Sequence, residues 1–369
     1  MRFSIKTTFT FLCFGLLCPA GNAAAQPVAM PVTQVSPTTT SQPFRLGPPQ
    51  SDGPLVVQAS FKLHNINDID DEAQTFEFEG VLTLKWRDPR QAFDPAAAGV
   101  DEKIYQGNFQ FNEVSPSWFP QEVLVNGSGM YEKDGVVLRV EPDGTQTLIQ
   151  TVDAVAKSEF DMRRFPYDRH RLEAVFELLG LDDSEVVLKA ESEIVCPSGD
   201  TIRVPQWIFG SMGMSTRSRS ASYAGRSGVS SAFVLRFDVE RESFFIVRLV
   251  VFPLAVIALL SFSVFWMDRS SLGDRINVSF IGILTGVAYQ IVMSDILPRI
   301  SYFTLITAFL NISFLTMCAT VIINLVVGAM DQKGRHDVGD GIDRRCRWIF
   351  PVVYFGLNLL ATGIAFTFY

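Results

Sequence analysis

Charged residues are scarce in this sequence, and their scarcity is the first indication of its class. Lys, Arg, Asp and Glu make up 19% of the 369 residues, whereas soluble domains average about 25%. Mean hydropathy is positive, at +0.22. A low charged fraction together with a positive hydropathy indicates long segments that lie in lipid.

The sequence also lacks the residue patterns of several function classes. Its three histidines, His64, His170 and His336, are too far apart to be neighbouring ligands of a metal centre. A net charge of −8 and the absence of a dense basic patch argue against a nucleic-acid partner. A Gly-rich phosphate loop, a G-x-S-x-G element and a His or Cys ligand spacing are all absent. We therefore expect neither an enzyme nor a cofactor or metal site.

The first 52 residues lack the patterns of a folded domain. Arg2 and Lys6, a short apolar run and Ala23–Ala25 follow the order of a secretory signal peptide, so we expect residues 1–25 to be removed. Residues 26–52 are rich in Pro, Thr, Ser and Gln, which predicts a disordered leader that acts either as a tether or as a functional arm. The mature chain would then begin outside the inner membrane.

Cysteine is almost absent from the exported part of the chain. Two of the five cysteines lie in the signal peptide and two lie beyond residue 300, which leaves only Cys196. A lone cysteine cannot form an intramolecular disulfide. The exported domain must therefore depend on its hydrophobic core.

Residues 53–241 alternate apolar and polar positions in short runs, such as TFEFEGVLTLKW (75–86) and SAFVLRFDV (231–239). Turn signals, among them Asp134-Gly135 and Asp143-Gly144, separate the runs. Period-two runs between turns predict an immunoglobulin-like sandwich of about ten antiparallel strands. We expect one all-β domain here.

Long apolar runs fill the last third of the chain. Each is at least 22 residues long, enough to cross a hydrocarbon core of about 30 Å as a helix. They cover residues 244–266, 276–297, 302–330 and 348–369. The sequence therefore predicts a multidomain membrane protein, with a four-helix transmembrane domain over residues 242–369.

The distribution of basic residues gives the same topology as the signal peptide. With the β domain outside, the 267–275 link and the 331–347 loop lie in the cytoplasm. The 331–347 loop holds five Lys and Arg residues, whereas the 298–301 turn outside holds only Arg299. This asymmetry satisfies the positive-inside rule. We expect a multi-pass protein of the bacterial inner membrane whose β domain is periplasmic.

The second apolar run is unusually polar for a membrane span. On a helix, steps of three and four residues place one set of side chains along a single stripe. The stripe consists of Asp274, Asn277, Ile281, Leu284, Ala288, Ile291 and Asp295. Copies around an axis would form acidic rings at both mouths and an apolar constriction between them, which suits a cation channel. Alternatively, the polar side chains only hydrogen-bond neighbouring helices.

Six segments carry a family resemblance. They are AQTFEFEGVLTLKW (73–86), SWFPQEVLVNG (117–127), RRFPYDRHRLEAVFE (163–177), RESFFIVRLVVFPL (241–254), DRINVSFIGILTGVAYQIVMSDILPR (274–299) and DRRCRWIFP (343–351). In this order and spacing they resemble prokaryotic pentameric ligand-gated ion channels of the Cys-loop receptor superfamily, most closely the amine-gated bacterial type. The resemblance covers all but the signal peptide and leader. It implies a homopentamer whose second helix lines the pore.

The resemblance also implies roles within the stripe. Asp274 matches the acidic position at the cytoplasmic mouth of cation-selective members, Asn277 a narrow polar ring, and Leu284 the central ring of the gate. Ile281 departs from the pattern, because a small hydroxyl residue is more usual there. The extra apolar ring should lower the resting open probability, and we expect monovalent cations to permeate.

A coupling network between the sandwich and the helices is a further implication. Asp168 is expected to pair with Arg241, and Asp68 or Asp70, in the segment NDIDDE, to complete the network. Taken alone, that segment is a solvated turn. The other expected members are Pro166, Pro298 and Arg299.

At the agonist pocket this sequence departs from the amine-gated pattern. The pocket positions that the resemblance implies are Glu177, Leu179, Tyr223, Val81, Val123 and Val125. Four of these residues are aliphatic, whereas aromatic rings would suit a cationic ligand. Glu177 keeps the carboxylate of the family pattern. Tyr223 lies among arginines in the 216–229 loop. An amine agonist therefore fits poorly. An anionic or neutral ligand, protons and divalent ions remain possible agonists. Alternatively, the arginines of the 216–229 loop belong to an ordinary solvated hairpin without a binding role.

A second function class is compatible with the domain order. A membrane-anchored β-sandwich sensor or binding protein without ion conduction would share the sandwich and the spans. It would need neither the polar stripe nor a carboxylate at both ends of one helix. Conductance of the purified protein in bilayers distinguishes the two classes.

Overall fold

The computed structural model describes most of the chain after the leader. The described residues are 47–49, 52–191, 202, 204–221, 223, 228–267, 272–295, 297–298 and 302–368. The signal peptide expected at 1–25, nearly all of the leader expected at 26–52, and Cys196 lie outside them. Within the described residues, a β-sandwich precedes four apolar helices.

The described residues form ten strands in two sheets. They are β1 (Leu55–Asp70), β2 (Thr75–Arg87), β3 (Lys103–Gln106), β4 (Glu122–Leu124), β5 (Gly127–Val140), β6 (Thr145–Lys157), β7 (Arg169–Leu178), β8 (Val186–Ala190), β9 (Trp207–Ser220) and β10 (Val229–Arg241). The six-stranded sheet has the order β3-β5-β6-β2-β1-β8, and the four-stranded sheet has the order β4-β7-β10-β9. The predicted sandwich is confirmed.

One strand pairing differs from the expected antiparallel pattern. β8 runs parallel to β1, with Leu55 opposite Val186. The turn after β7 delivers the chain beside the start of β1, where the Leu55 N–H donates to the Glu185 carbonyl at 2.9 Å. The two strands therefore run in the same direction.

Alternation along the strands builds the core of the sandwich. In β2, Phe76 and Phe78 are buried while Glu77 and Glu79 point away from the core. The Phe76 and Phe78 rings both contact Phe237 of the other sheet, with centroids 5.7 and 5.8 Å apart. Each fully buried Phe contributes about 1.5–3 kcal/mol. Aromatic packing between the sheets thus stabilises the domain.

Four helices follow the sandwich, each long and apolar enough to cross a membrane. They are α1 (Ser243–Trp266), α2 (Leu272–Ser294), α3 (Leu305–Gln332) and α4 (His336–Phe368). The four predicted spans are confirmed. α1 contains a π-helical turn at Val247–Val251, just before Pro253, a position where the missing N–H and the ring of proline disturb the helical ladder.

The expected cytoplasmic loop at 331–347 is mostly helical. α4 begins at His336, and Gly339, Asp343 and Cys346 form a buried stripe on its first turns. This three- and four-residue spacing is typical of an amphipathic helix that packs against its neighbours. Its 33 residues span about 50 Å, so one end of α4 extends beyond the hydrocarbon layer. The expected loop between the third and fourth spans is therefore largely the first part of α4.

Candidate functional site

The predicted stripe of α2 is exposed along its whole length in the single chain. Ile281, Leu284 and Ile291 are 62%, 70% and 64% exposed. Asp274, Asn277, Ala288 and Asp295 are exposed as well. A continuous apolar and acidic face of this helix is therefore left uncovered by the residues that the structure describes.

The opposite side of α2 is packed closely against α1 and α3. A β-carbon at Gly282 would lie 3.0 Å from the Ser261 hydroxyl of α1, and one at Gly286 would lie 2.5 Å from the Met317 methyl group of α3. Glycines four residues apart let helices approach in this way. The packing fixes which side of α2 faces away from the bundle, and that side is the stripe.

A buried polar network anchors the beginning of α2. Arg275 is fully buried, and its two Nη atoms donate to both carboxylate oxygens of Asp343, each at 3.0 Å. Arg275 also donates to Asn324 at 3.0 Å, and Asn324 donates to the Ser279 hydroxyl at 2.8 Å. Bidentate pairs of this kind are strong and directional. The network joins α2, α3 and α4 beside the exposed Asp274.

Sequence reasoning missed this network because the predicted span began at residue 276. A charged residue next to an intramembrane segment is itself a signal, since such a charge needs a buried partner. The partner, Asp343, lay in the segment that was expected to be a loop.

The expected pocket residues divide between the two sheets. Val123 of β4 lies opposite Glu177 of β7, and the Val125 N–H donates to the Val175 carbonyl at 2.8 Å. These residues therefore lie together, with Leu179 exposed just beyond the end of β7.

The remaining expected pocket residues lie elsewhere. Val81 lies on β2 of the six-stranded sheet, on the face shared with Glu77 and Glu79 that points away from the core. One chain thus does not bring Val81 to Glu177. Tyr223 is 43% exposed between β9 and β10, and Arg226 of the same connection lies outside the described residues.

Arginines of β9 lie over the Glu177 face, a contact that sequence reasoning missed. The Nε atom of Arg219 is 3.0 Å from Oε1 of Glu177, which is buried. Arg217 forms an ion pair of 3.1 Å with Glu173. The arginines of the 216–229 loop that sequence reasoning left as a solvated hairpin are thus partly paired in the described residues.

The junction between sandwich and helices centres on Arg241, the last residue of β10. Its Nε atom donates to the Asp168 carboxylate at 2.9 and 3.1 Å, and its Nη2 atom is 2.8 Å from Asp71. The guanidinium carbon lies 4.1 Å from the Trp207 ring centroid and 4.8 Å from that of Phe165. A buried arginine is thereby held by two carboxylates and two aromatic faces. The expected Asp168–Arg241 contact is present.

The third member of the cluster is Asp71, and the expectation of Asp68 or Asp70 is corrected. Asp70 accepts hydrogen bonds from the backbone of Glu72 and Ala73, at 2.9 and 2.8 Å, and so holds the turn after β1. Asp68 is exposed. Only Asp71 of these three carboxylates contacts Arg241 in the described chain.

Burial and ion pairing move the two carboxylates of the cluster in opposite directions. Burial raises the pKa of Asp71 above its usual value, against the opposing effect of Arg241. Burial also disfavours the charge of Asp168, but the hydrogen bond from His170 and the charge and hydrogen bonds of Arg241 outweigh it and lower its pKa. His170 is buried, 2.6 Å from Asp168, and its ring packs against Phe160.

The loop that contains Phe165 and Pro166 touches two helices. The Ser243 hydroxyl at the start of α1 donates to the Pro166 carbonyl at 2.6 Å, and the Leu305 N–H at the start of α3 donates to the Arg163 carbonyl at 3.1 Å. Pro298 is half-buried, and Arg299 lies outside the described residues. The loop that contributes Phe165 to the cluster is therefore hydrogen-bonded to the starts of α1 and α3.

Comparison with known proteins identifies similar chains. Residues 42–242 match the family described as neurotransmitter-gated ion-channel ligand binding domain. The chain is 27% identical over 321 residues to a proton-gated ion channel of Gloeobacter violaceus, covering 87% of this chain and 86% of that protein. It is 23% identical to the human gamma-aminobutyric acid receptor subunit rho-2 over 297 residues, and to the mouse theta subunit over 311 residues. The chain spans 62% and 46% of the length of those two subunits.

Proposed function

Because the chain belongs to the neurotransmitter-gated ion-channel family, as a prokaryotic pentameric ligand-gated channel, we propose that five copies form a homopentamer that conducts monovalent cations. Each copy contributes an extracellular ligand-binding sandwich, residues 53–241, and a pore domain, residues 242–369. The signal peptide is removed after residue 25, and the channel lies in the bacterial inner membrane.

The observation that carries the proposal is the exposed stripe of α2. Large apolar side chains, Leu284 among them, and two carboxylates share one face of a helix whose other face is packed. Carboxylates are costly toward lipid and belong beside water or protein. Five copies of α2 around an axis bring each carboxylate to a water-filled mouth and each apolar ring to the constriction.

Charge at the mouths supports the preference for cations. Asp274 is exposed, whereas the neighbouring Arg275 is buried and neutralised by Asp343. The pore mouth therefore carries the negative charge of Asp274 without the positive charge of its neighbour. Five carboxylates focus a negative potential that attracts cations and repels anions.

The apolar middle of the stripe supports a gate. Ile281, Leu284, Ala288 and Ile291 present four successive apolar rings to the axis in the proposed pentamer. An apolar constriction can stop conduction by excluding water. Opening then requires a rearrangement that widens or wets these rings.

The division of the pocket residues between the sheets supports ligand binding at subunit interfaces. Glu177 and Val123 lie on one sheet and Val81 on the other, so that a neighbouring copy must supply the second half of the site. From that interface, the Arg241 cluster transmits the change to α1 and α3. Two distinct sites coupled in this way meet the thermodynamic definition of an allosteric channel.

Purified full-length protein in planar bilayers tests the proposal. Current is recorded in asymmetric KCl while candidate ligands and pH are varied. We expect stepwise openings whose reversal potential lies close to that of K⁺. Assembled pentamers that stay silent under all these conditions would favour the non-conducting sensor.

A further inference from the structure

The outer face of the four-stranded sheet holds a buried carboxylate beneath a guanidinium. Glu177 is 1% exposed, and Arg219 lies over it at 3.0 Å. Leu179 is exposed beside the pair. This face is half of the ligand site proposed above, so the inference rests on that proposed function.

A second charged cluster continues the same face. Arg217 lies 3.1 Å from Glu173, and the Nε atom of Arg236 donates to Glu173 at 3.1 Å. Below both clusters lies an apolar floor. Its members, buried although they point outward from the core, are Val175, Ala232 and Val234. The arginines of β9 therefore cover the surface where a ligand would bind.

This arrangement disfavours a cationic ligand. Burying a carboxylate without a paired cation is costly. Arg219 is tethered to the neighbouring strand, which gives it an effective concentration at Glu177 of about millimolar or above. An external amine must displace this guanidinium and leave it without its carboxylate.

An anionic ligand meets no such obstacle. Arg217 and Arg219 are two residues apart on β9, so their side chains share one face. The two side chains are 45% and 33% exposed. Each guanidinium has five N–H donors in a planar fork, which suits a carboxylate held by two parallel hydrogen bonds.

We propose that this site binds a small organic anion. Its carboxylate binds Arg219, its apolar part contacts Val123 and Leu179, and Arg217 adds positive charge beside the site. The ion pairs of these arginines orient the forks before the ligand arrives. Glu177 thus serves as a positioning residue for Arg219, in place of the amine-binding role that the family resemblance implied.

Three ligands of equal length test the charge preference. Pentanoate, pentylamine and pentanamide carry a negative, a positive and no charge at one end of the same chain. Calorimetry on the full-length pentamer at pH 7 should show pentanoate binding at least about tenfold more tightly than either of the others. Pentylamine binding as tightly as pentanoate, or no detectable pentanoate binding, would overturn the proposal.

Substitutions then locate the site. The double variant Arg217→Gln/Arg219→Gln should weaken pentanoate binding at least about tenfold. Arg171→Gln is the matched control, because its ion pair with Asp238 lies on the same sheet, about 20 Å along β7 from Glu177. An unchanged affinity in the double variant would contradict the assignment.

A gain of binding gives the sharpest result. Arg219→Gln alone removes the guanidinium that covers Glu177, so pentylamine should now bind, and Arg219→Gln/Glu177→Gln should lose that gain. Size-exclusion chromatography confirms that each variant remains pentameric. Binding is measured without current, so that a chain that binds pentanoate but never conducts would refute the proposed channel and leave this inference standing.

Discussion

The Oδ2 atom of Asp71 lies 2.8 Å from the Nη2 atom of Arg241. This ion pair joins the turn after β1 to the last residue of β10, two residues before the start of α1. The Nε atom of the same Arg241 guanidinium donates to Asp168. Because both carboxylates share one guanidinium, neither can move without changing the surroundings of the other.

Removing Arg241 should uncouple ligand binding from opening. Arg241→Ala leaves two carboxylates with an unpaired negative charge, and breaking a buried pair from one side costs about 3–5 kcal/mol. We expect pentamers at the membrane with abolished or strongly reduced current, and a weaker effect in the same direction for Asp168→Asn. Surface pentamer quantity and evoked current are measured together.

Arg169→Ala is the control for this prediction. Arg169 is exposed and pairs with Glu240 at 2.9 Å, and exposed pairs contribute about 0–1 kcal/mol. Normal current from well-assembled Arg241→Ala channels would show that other contacts carry the coupling.

Making the constriction polar should favour an open pore. Leu284→Ser or Ile281→Thr places hydroxyl groups in the apolar rings, so water enters more readily. We expect higher resting open probability and an increase in agonist sensitivity of about tenfold, which corresponds to about 1.4 kcal/mol. Single-channel recordings measure both quantities. Leu315→Ser, on an exposed part of α3, should behave like the wild type, and unshifted Leu284→Ser channels would contradict the gate.

Changing the charge at the cytoplasmic mouth should alter selectivity. Asp274→Asn should move the reversal potential in asymmetric KCl toward zero, and Asp274→Lys should move it further, because the ring no longer attracts cations. The control is Asp337→Asn, an exposed carboxylate near the start of α4. Equal reversal potentials in wild type and Asp274→Lys would show that Asp274 does not determine ion selectivity.

Stability should depend on pH through Asp168. Its pKa is lowered in the folded protein, so its ionised form stabilises the fold above the usual pKa of 3.8, and the contribution is lost as pH falls through the folded value. The pKa of Asp71 is raised in the folded protein, so ionisation of Asp71 lowers the stability of the fold as pH rises. Wild type should unfold at a higher temperature than Asp168→Asn near pH 7, and the difference should vanish in acid.

Apparent melting midpoints at a fixed heating rate, recorded between pH 7 and strongly acidic buffer, give this comparison. Asp161→Asn, at an exposed site of the same loop, should follow the wild type throughout. A difference between Asp168→Asn and wild type that stays constant with pH would rule out the assigned ionisation.

The Arg275–Asp343 network at the start of α2 should tolerate joint but not single replacement. Asp343→Asn leaves Arg275 buried without its carboxylate, a cost of about 3–5 kcal/mol. The double variant Arg275→Met/Asp343→Leu removes both charges and should recover most of the lost thermal stability. Melting midpoints of purified pentamers measure this, and a double variant as unstable as Asp343→Asn would mean that the pair matters for more than charge balance.

Local patterns were sufficient to predict the sandwich and the four spans. Alternation marks β2 and β10, and uninterrupted apolar length marks the helices, because both signals depend only on neighbouring residues. The helical start of α4 was missed, since its buried stripe becomes apparent only when Asp343 has Arg275 as a partner.

Contacts between distant residues could not be predicted in the same way. Asp68, Asp70 and Asp71 have similar sequence surroundings. The conformation of the turn after β1 decides that Asp70 accepts hydrogen bonds from the backbone of this turn, while Asp71 contacts Arg241, 170 positions later. The Arg219–Glu177 contact likewise depends on the register of β9 on β10, where Arg219 lies opposite Ser230.

Gly282 has a consequence for the size of the proposed pore. The hydroxyl oxygen and β-carbon of Ser261 would lie 3.0 and 3.1 Å from any β-carbon at this position, so an alanine here requires Ser261 or α2 to shift by a few tenths of an ångström. In the proposed ring of five, a shift of α2 away from α1 would be inward at every subunit, and the bore would narrow by twice the displacement. The width available to an ion in the proposed pore would thus depend on the absence of a methyl group at a site that no ion contacts.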